Sequence, residues 1–331
     1  MTGDGKTMEL VPHRRLSLFS GRAHPDLAQE IADNLGVELG EANLREFADG
    51  QIHCRYDTSI RGSDVFIIQT HAHPVNDSIM EQLIMIDAAK RASANRITAV
   101  CPYYGYSRQD RKSTGREPIT AKLVADLLTA AGATRVVSVD LHSGQVQGFF
   151  DFPVDHLTAM TILSDYLKKN TTTGDLVIVS PDAGRVKVAE RYAQQLGADL
   201  AFVHKRRETS RMNAVEAREV IGVVEGRHCV IVDDMIDTAG TVAAAAERLT
   251  NAGATEVWAM ATHAVLSDPA LDRLKAALIS RVIVTNTLPL PQERLIDKIE
   301  VLSAASVIAA AIDAVFEDTS VSHIFGGQNL V

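Results

Sequence analysis

Cys229-Val-Ile-Val-Asp-Asp-Met-Ile-Asp-Thr-Ala-Gly-Thr241 is an apolar strand that ends in two adjacent carboxylates and runs through a small-residue loop into an Ala-rich helix from Val242. Backbone N–H groups at Thr238 to Thr241, two threonine hydroxyls and the positive helix end can surround a phosphate without any basic side chain. Carboxylates at a strand's end suit sugar hydroxyls or a sugar-bound metal, because open α/β sheets bind ligands at their carboxyl edge. An ordinary Asp/Thr cap after a strand accounts for one acid and one threonine, but not for Asp233, Asp234 and Asp237 together.

Outward from this segment the same grammar repeats. Short runs rich in Val and Ile (Asp64–Thr70, Arg96–Cys101, Arg135–Asp140, Leu176–Asp182, Glu256–Met260, Arg281–Thr285) alternate with helical patterns such as Ser78–Ala92 and Pro118–Ala131. The runs are too uniformly apolar for one-sided sheets, which predicts parallel strands covered by helices on both faces. Ala131-Gly-Ala-Thr-Arg-Val136 is echoed by Ala252-Gly-Ala-Thr-Glu-Val257, with His142 and His263 at matching positions. Two related α/β halves would explain the echo; so would a common helix stop with Gly at C′. The expected organisation is a loose tail over 1–15, a first domain over 16–157 completed by a C-terminal helix within 303–325, and a second domain over 158–302.

A chain of 331 residues has room for about two domains. Its 23% charged and 46% hydrophobic residues exclude long disorder, and a net charge of −9 disfavours broad nucleic-acid binding while leaving room for a local basic site. Cys54, Cys101 and Cys229 are too few and too scattered for a disulfide framework or a zinc site, which fits a reducing cytoplasm. Met1 to Arg15 carries Asp4, Lys6 and Glu9 where a signal peptide needs an apolar core, so secretion is not expected. Val301–Ile312, a conspicuous apolar stretch, is well short of the roughly 20 residues of a membrane helix.

Three more segments carry polar chemistry. His142 follows the strand Val136–Asp140 at the same carboxyl edge, and Asp182 ends another strand and opens a helix. Arg108-Gln-Asp-Arg-Lys-Ser-Thr-Gly-Arg116 is a polar loop before the helix opened by Pro118. Lys205-Arg-Arg-Glu-Thr-Ser-Arg211 follows a strand over Leu200–Val203 and reads as an exposed mobile loop. Taken alone, these read respectively as a structural histidine, a solvated face and a solubilising turn.

Together these segments resemble the ribose-phosphate diphosphokinase (PRPP synthetase) family from about Leu16 to Phe325. The marks are Phe47-Ala-Asp-Gly-Gln51, Pro102–Arg111, Val139–Phe150, Ser180-Pro-Asp-Ala-Gly-Arg185, Lys205-Arg-Arg207 and the Cys229–Thr241 segment, in the family's order. The resemblance implies two type I phosphoribosyltransferase-like domains, each a mostly parallel sheet flanked by helices, with the active site between them. It implies diphosphoryl transfer from ATP to ribose 5-phosphate, giving 5-phosphoribosyl 1-diphosphate and AMP for nucleotide, histidine and tryptophan biosynthesis. By the same resemblance His142 and Asp182 hold Mg²⁺, and Lys205 and Arg207 are catalytic. Phe47, Asp49, Gly50, Gln51, Arg108 and Gln109 bind ATP, while Arg207, Asp233, Asp234, Asp237, Thr238, Ala239, Gly240 and Thr241 bind ribose 5-phosphate. Lys112 and Arg116 are candidates for a regulatory anion site. The implied assembly is a homo-oligomer, a hexamer built from dimers, in which Phe47–Gln51 reaches a neighbouring subunit's adenine.

Two departures from the family pattern stand out. Gln51 replaces the usual acid, and Ala239-Gly240 replaces a Gly-Gly pair, which requires Ala239 to adopt a negative φ. The rival readings are a non-catalytic regulatory subunit of such a synthetase and a phosphoribosyltransferase that consumes the product; the latter leaves Arg108-Gln109 and Lys205–Arg207 without a role.

Overall fold

The computed structural model describes residues 14–206 and 217–325. Strands β1 (Leu16–Ser20), β4 (Asp64–Ile68), β5 (Arg96–Cys101), β6 (Arg135–Val139) and β7 (Val154–Leu157) form an all-parallel sheet in the order β1-β4-β5-β6-β7. Between β1 and β4 in the chain stands a separate antiparallel hairpin of β2 (Ala42–Glu46) and β3 (Ile52–Tyr56). The second sheet comprises β8 (Leu176–Ser180), β9 (Asp199–Arg206), β10 (Ala217–Ile221), β11 (His228–Ile236), β12 (Glu256–Ala264), β13 (Arg281–Thr285) and β14 (Ile299–Leu302). Its order is β10-β9-β8-β11-β12-β13-β14, with the edge strand β10 antiparallel to β9 and the other pairs parallel. The α/β class, with mostly parallel sheets flanked by helices, is therefore as expected.

The uniform apolarity of the strands has a simple cause: successive side chains face opposite sides, and both sides are covered. On β4, Val65 and Ile67 face one core while Phe66 and Ile68 face another; on β11, Cys229 and Ile231 alternate with Val230 and Val232 in the same way. Helices α2 (Val75–Arg91) and α3 (Thr120–Ala131) cover the outer face of the first sheet. Helices α6 (Gly240–Asn251) and α7 (Ala270–Ala276) cover the outer face of the second. Between the two sheets lie α1 (Pro25–Leu35), α4 (Met160–Asn170), α5 (Val186–Leu196) and α8 (Ala305–Phe316), sharing one core. Helix α8 follows the second sheet in sequence but packs on α1, β6 and β7. Its Ile308 and Ile312 are fully buried, and each such side chain contributes about 1.5–3 kcal/mol. The apolar run Val301–Ile312 is thus spent on β14 and α8, and among the described residues no helix is long and apolar enough to cross a membrane.

A polar seam joins the two sheets at their carboxyl edges. His263, buried on β12, places Nε2 3.1 Å from the carbonyl oxygens of both Val139 and Asp140 and Nδ1 2.8 Å from Thr287 Oγ1. Only the tautomer with the proton on Nε2 satisfies both ends, the threonine hydroxyl then donating to Nδ1. Asp140 Oδ2 accepts from Thr262 Oγ1 (2.6 Å) and from the Ala159 N–H (2.9 Å), and Thr70 Oγ1 donates to the Thr287 carbonyl (2.6 Å). At the opposite edge, buried Asp64 accepts from Arg14 (3.1 Å), Arg96 (2.5 Å) and Asn95 (2.8 Å), and Asp318 bridges the same two arginines.

One local expectation changes. β9 continues past Val203 through Arg206 because β10 pairs with it, setting Lys205 opposite Arg218; the basic triplet therefore begins on a strand, not in a loop. Phe47–Gln51 forms the turn of the β2–β3 hairpin. Arg207 and the segment 1–13 lie outside the described residues.

His71, His156 and His263 are all held below the usual histidine range by burial, His71 and His156 down to about 4. His71 is fixed as the neutral ring, Nδ1 accepting from the Gly105 N–H (2.8 Å) and Nε2 lying 2.9 Å from Gln82 Oε1. The unfolded chain takes up protons near pH 6.5 that these folded rings refuse, so their stabilisation is complete above pH 6.5 and declines as pH falls toward 4. Between pH 7 and pH 5 the wild type should lose about 2 kcal/mol more urea unfolding free energy than a His71→Gln variant. Equal losses in the two would show that the ring protonates in the fold.

Candidate active site

At the end of β11, Asp233 still pairs in register with Ala261 of β12, and past Ile236 the chain passes through Asp237, Thr238 and Ala239 into α6. The first N–H groups of that helix have no helical acceptor, and its opening residues are small. A cleft of about 210 Å³ lies between residues 233–242 and the side chains of Arg108, His142, Asp182 and Arg185. The structure therefore gathers Asp233, Asp234, Asp237, Thr238, Ala239, Gly240 and Thr241 with His142, Asp182 and Arg108, although they come from both sheets.

Arg108 reaches across from the loop after β5, its Nη1 2.6 Å from Asp237 Oδ2. It also lines an adjoining cleft of about 660 Å³ with Gln109, Tyr103, Tyr106 and Asn76. Gln109 is held there by Thr120, whose hydroxyl donates to Oε1 at 2.6 Å. Phe47, Asp49, Gly50 and Gln51 line neither cleft. They cap the hairpin, with the Phe47 ring half exposed, edge-on to His53 and 5.4 Å from the Arg45 guanidinium carbon. Gly50 sits at φ 87, which the turn requires. The Gln51 amide donates to Asp49 Oδ2 at 2.7 Å, so glutamine in place of the family's acid avoids setting two carboxylates side by side. For Lys205 the structure gives only the backbone position on β9.

The central electrostatic feature belongs to Arg185, which the sequence marks only as the end of the Ser180–Arg185 motif. Arg185, at the start of α5, extends between the two acids: Nη2 lies 2.7 Å from Asp234 Oδ1 and Nε 3.4 Å from Asp233 Oδ1. The same Nη2 is 2.6 Å from His142 Nδ1, which lies 2.7 Å from Asp234 Oδ2. Burial raises the Asp233 carboxyl above the usual range, and the neighbouring Asp234 carboxylate adds to the rise. Burial also opposes ionisation of Asp234, but the hydrogen bond from His142, the Arg185 charge and the Asp233 contact outweigh it and leave Asp234 lowered. Burial and the mutual contact thus pull the two acids apart, Asp233 becoming the weaker acid and Asp234 the stronger. The available signal was an arginine directly after Pro-Asp-Ala-Gly; its reach to residues 233 and 234 is tertiary.

Asp182 Oδ1 accepts from the Gly184 N–H at 2.8 Å, so its other oxygen and His142 Nε2 have no partner among the described residues. No group of three or more His, Cys, Asp or Glu side chains forms a metal cage among those residues. A carboxylate and an imidazole facing a phosphate-sized cleft still suit Mg²⁺, which commonly takes one or two protein ligands with substrate phosphates and water.

Ala239 adopts φ 58 and ψ 7, in the left-handed region, so the negative φ its residue type called for is not what the loop uses. For a residue with a Cβ that conformation costs about 1–2 kcal/mol. The methyl group recovers part of this by being 4% exposed in the core under α6. Ala239→Gly should consequently change unfolding free energy by less than about 1 kcal/mol, whereas a β-branched Ala239→Val should cost more than about 2 kcal/mol. Chemical unfolding of the two variants checks both, and a stable valine variant would contradict the left-handed conformation.

Comparison with known proteins gives a consistent result. Residues 16–132 match the N-terminal domain of ribose phosphate pyrophosphokinase, and residues 217–326 match the phosphoribosyl synthetase-associated domain. The chain is 54% identical over 328 residues to the ribose-phosphate pyrophosphokinase of Streptomyces coelicolor, covering 99% of this chain and 100% of that one. The Bifidobacterium longum protein of the same name is 53% identical over 321 residues, covering 96% and 94% respectively. The crystal structure of phosphoribosylpyrophosphate synthetase from Mycobacterium smegmatis superposes with a TM-score of 0.87 at 51% identity, covering 92% of this chain and all of that one. With a phosphate-shaped loop, paired acids and a cross-sheet arginine in one cleft, and with likeness along nearly its whole length, the chain belongs to the ribose-phosphate pyrophosphokinase family.

Proposed function

We propose that this chain transfers the diphosphoryl group of ATP to the anomeric hydroxyl of ribose 5-phosphate, forming 5-phosphoribosyl 1-diphosphate and AMP. The observation that carries the reading is the meeting, in one cleft, of the Thr238–Thr241 loop on the second sheet with Arg108 from the first. The 5-phosphate is placed on the N–H groups and hydroxyls of Thr238–Thr241, and the ribose hydroxyls against Asp233, Asp234 and Asp237. The adjoining cleft with Gln109 and Tyr106 has room for a nucleotide, and Arg108 at its border can fork onto the polyphosphate. A new bond forms between the sugar's O1 and the β-phosphorus as the bond from the β-phosphorus to the α–β bridging oxygen breaks, and AMP departs with that oxygen.

Charge gathers on the transferring group, which calls for cations placed before reaction. Lys205 and Arg207 are assigned that role from their place in the family motif. Mg²⁺ would be held by His142 and Asp182 and would supply charge neutralisation on the phosphates. Arg185 and the Thr238–Thr241 loop orient the sugar phosphate. A phosphoribosyltransferase reading would leave the cleft beside Arg108 without a ligand.

The working enzyme is read as a cytoplasmic homo-oligomer of the hexamer type, with the exposed Phe47 turn completing a neighbour's adenine site. Ile119, Leu123 and Leu127 form an exposed apolar stripe along α3, consistent with subunit contact.

AMP should appear from ATP only when ribose 5-phosphate and Mg²⁺ are both present. Its formation without ribose 5-phosphate would exclude the reading. Lys205→Ala should leave ATP binding nearly intact and lower turnover by orders of magnitude. Mixing inactive Lys205→Ala and Phe47→Ala chains should restore activity through shared sites; no recovery despite demonstrated subunit exchange would assign Phe47 to its own chain.

A further inference from the structure

We infer that Arg273 is a positioning residue for the phosphate loop, acting through the peptide bond between Thr238 and Ala239; this rests on the assignment of that loop to ribose 5-phosphate. Arg273 lies on α7, outside every motif that marks the site in the sequence. Its Nη1 donates to the Thr238 carbonyl oxygen at 2.9 Å. The same atom passes so close to Gly240 that a Cβ there would lie 3.3 Å from it, and a side chain at 240 would press the guanidinium back by a few tenths of an ångström.

The consequence follows from peptide geometry. A trans peptide is planar, and its C=O and N–H point in opposite directions. Holding the Thr238 carbonyl toward Arg273 therefore turns the Ala239 N–H away from it, and that N–H has no acceptor among the described residues. The orientation is not the one alanine prefers. Rotating the 238–239 peptide by half a turn would carry Ala239 from φ 58 to a negative φ, relieve the left-handed strain, and point the carbonyl where the N–H had been. A carbonyl oxygen there would repel a phosphate. Arg273 opposes that flip by giving the carbonyl a charged donor in the productive orientation. Where the family's Gly-Gly pair stands, no such strain arises, so the demand on Arg273 comes from the alanine at 239.

Arg273→Gln should raise the Kd of ribose 5-phosphate about tenfold, equal to ~1.4 kcal/mol, with ATP affinity and thermal midpoint near wild type. Arg273→Lys, which keeps a charged donor, should fall between. The decisive variant is Ala239→Gly in the Arg273→Gln background: removing the strain should recover most of the lost affinity, giving a non-additive double-mutant cycle. Calorimetric titration with ribose 5-phosphate and, separately, with ATP reads all of this. Unchanged ribose 5-phosphate affinity in Arg273→Gln overturns the inference, and so does a parallel loss for ATP or a failure of Ala239→Gly to rescue. A wild-type protein that does not bind ribose 5-phosphate would instead refute the assignment of the loop, a separate and earlier failure.

Discussion

The site depends on a joint that is not itself chemical: the buried His263 ring, locked between two carbonyl oxygens at the end of β6 and a threonine hydroxyl after β13. Neither sheet alone owns the cleft. His142 lies two residues beyond Asp140 on the first half, Asp234 stands two residues before the end of β11 on the second, and the 2.7 Å contact between them exists because the seam sets the spacing of the two carboxyl edges. The apolar layer of α1, α4, α5 and α8 behind the seam makes that spacing stiff, since close-packed cores resist small displacements. His142 and His263, which the sequence sets at matching positions of an echo, thus have different tasks: one faces the cleft and the other holds the two halves in register.

Much of this was legible because burial writes itself into composition. β4, β5, β6, β8 and β11 are covered on both faces and read as continuous Val/Ile runs; a strand ending in Asp-Asp before Thr-Ala-Gly-Thr could be placed at the ligand edge without further help. The hairpin was less visible because Ala42–Glu46 and Ile52–Tyr56 pair only with each other and keep mixed polarity. The extension of β9 through Lys205 and Arg206 was hidden because a basic pair reads as solvated when its antiparallel partner is unknown.

The misjudged details share a cause. The φ of Ala239 cannot be read from the alanine, whose own preference is for the opposite sign; it is imposed by the turn into α6 and by neighbours distant in sequence. Arg273 was passed over, and Arg185 was read only as the end of the Ser180–Arg185 motif, for a related reason. Each lies at or inside a helix and looks like an ordinary surface cation until tertiary structure brings it to residues 233, 234 and 238. These two arginines also give the cleft its character. Residues 237–241 contain no basic side chain, so positive charge reaches the cleft from behind that loop and from beside it.

The route of the chain through the layers has a consequence for how the protein is made. Helix α8 fills the inner face of the first sheet, yet the ribosome delivers it after all seven strands of the second. Until then α1, β6 and β7 present apolar surface to solvent while more than a hundred residues are still to be translated. The Arg14–Asp64–Arg96–Asp318 cluster, which fastens the segment after α8 to the foot of β4, can form only at the same late moment. Nascent chains stalled before Ala305 should accordingly be the form on which chaperones dwell, and release from them should coincide with the emergence of the last helix.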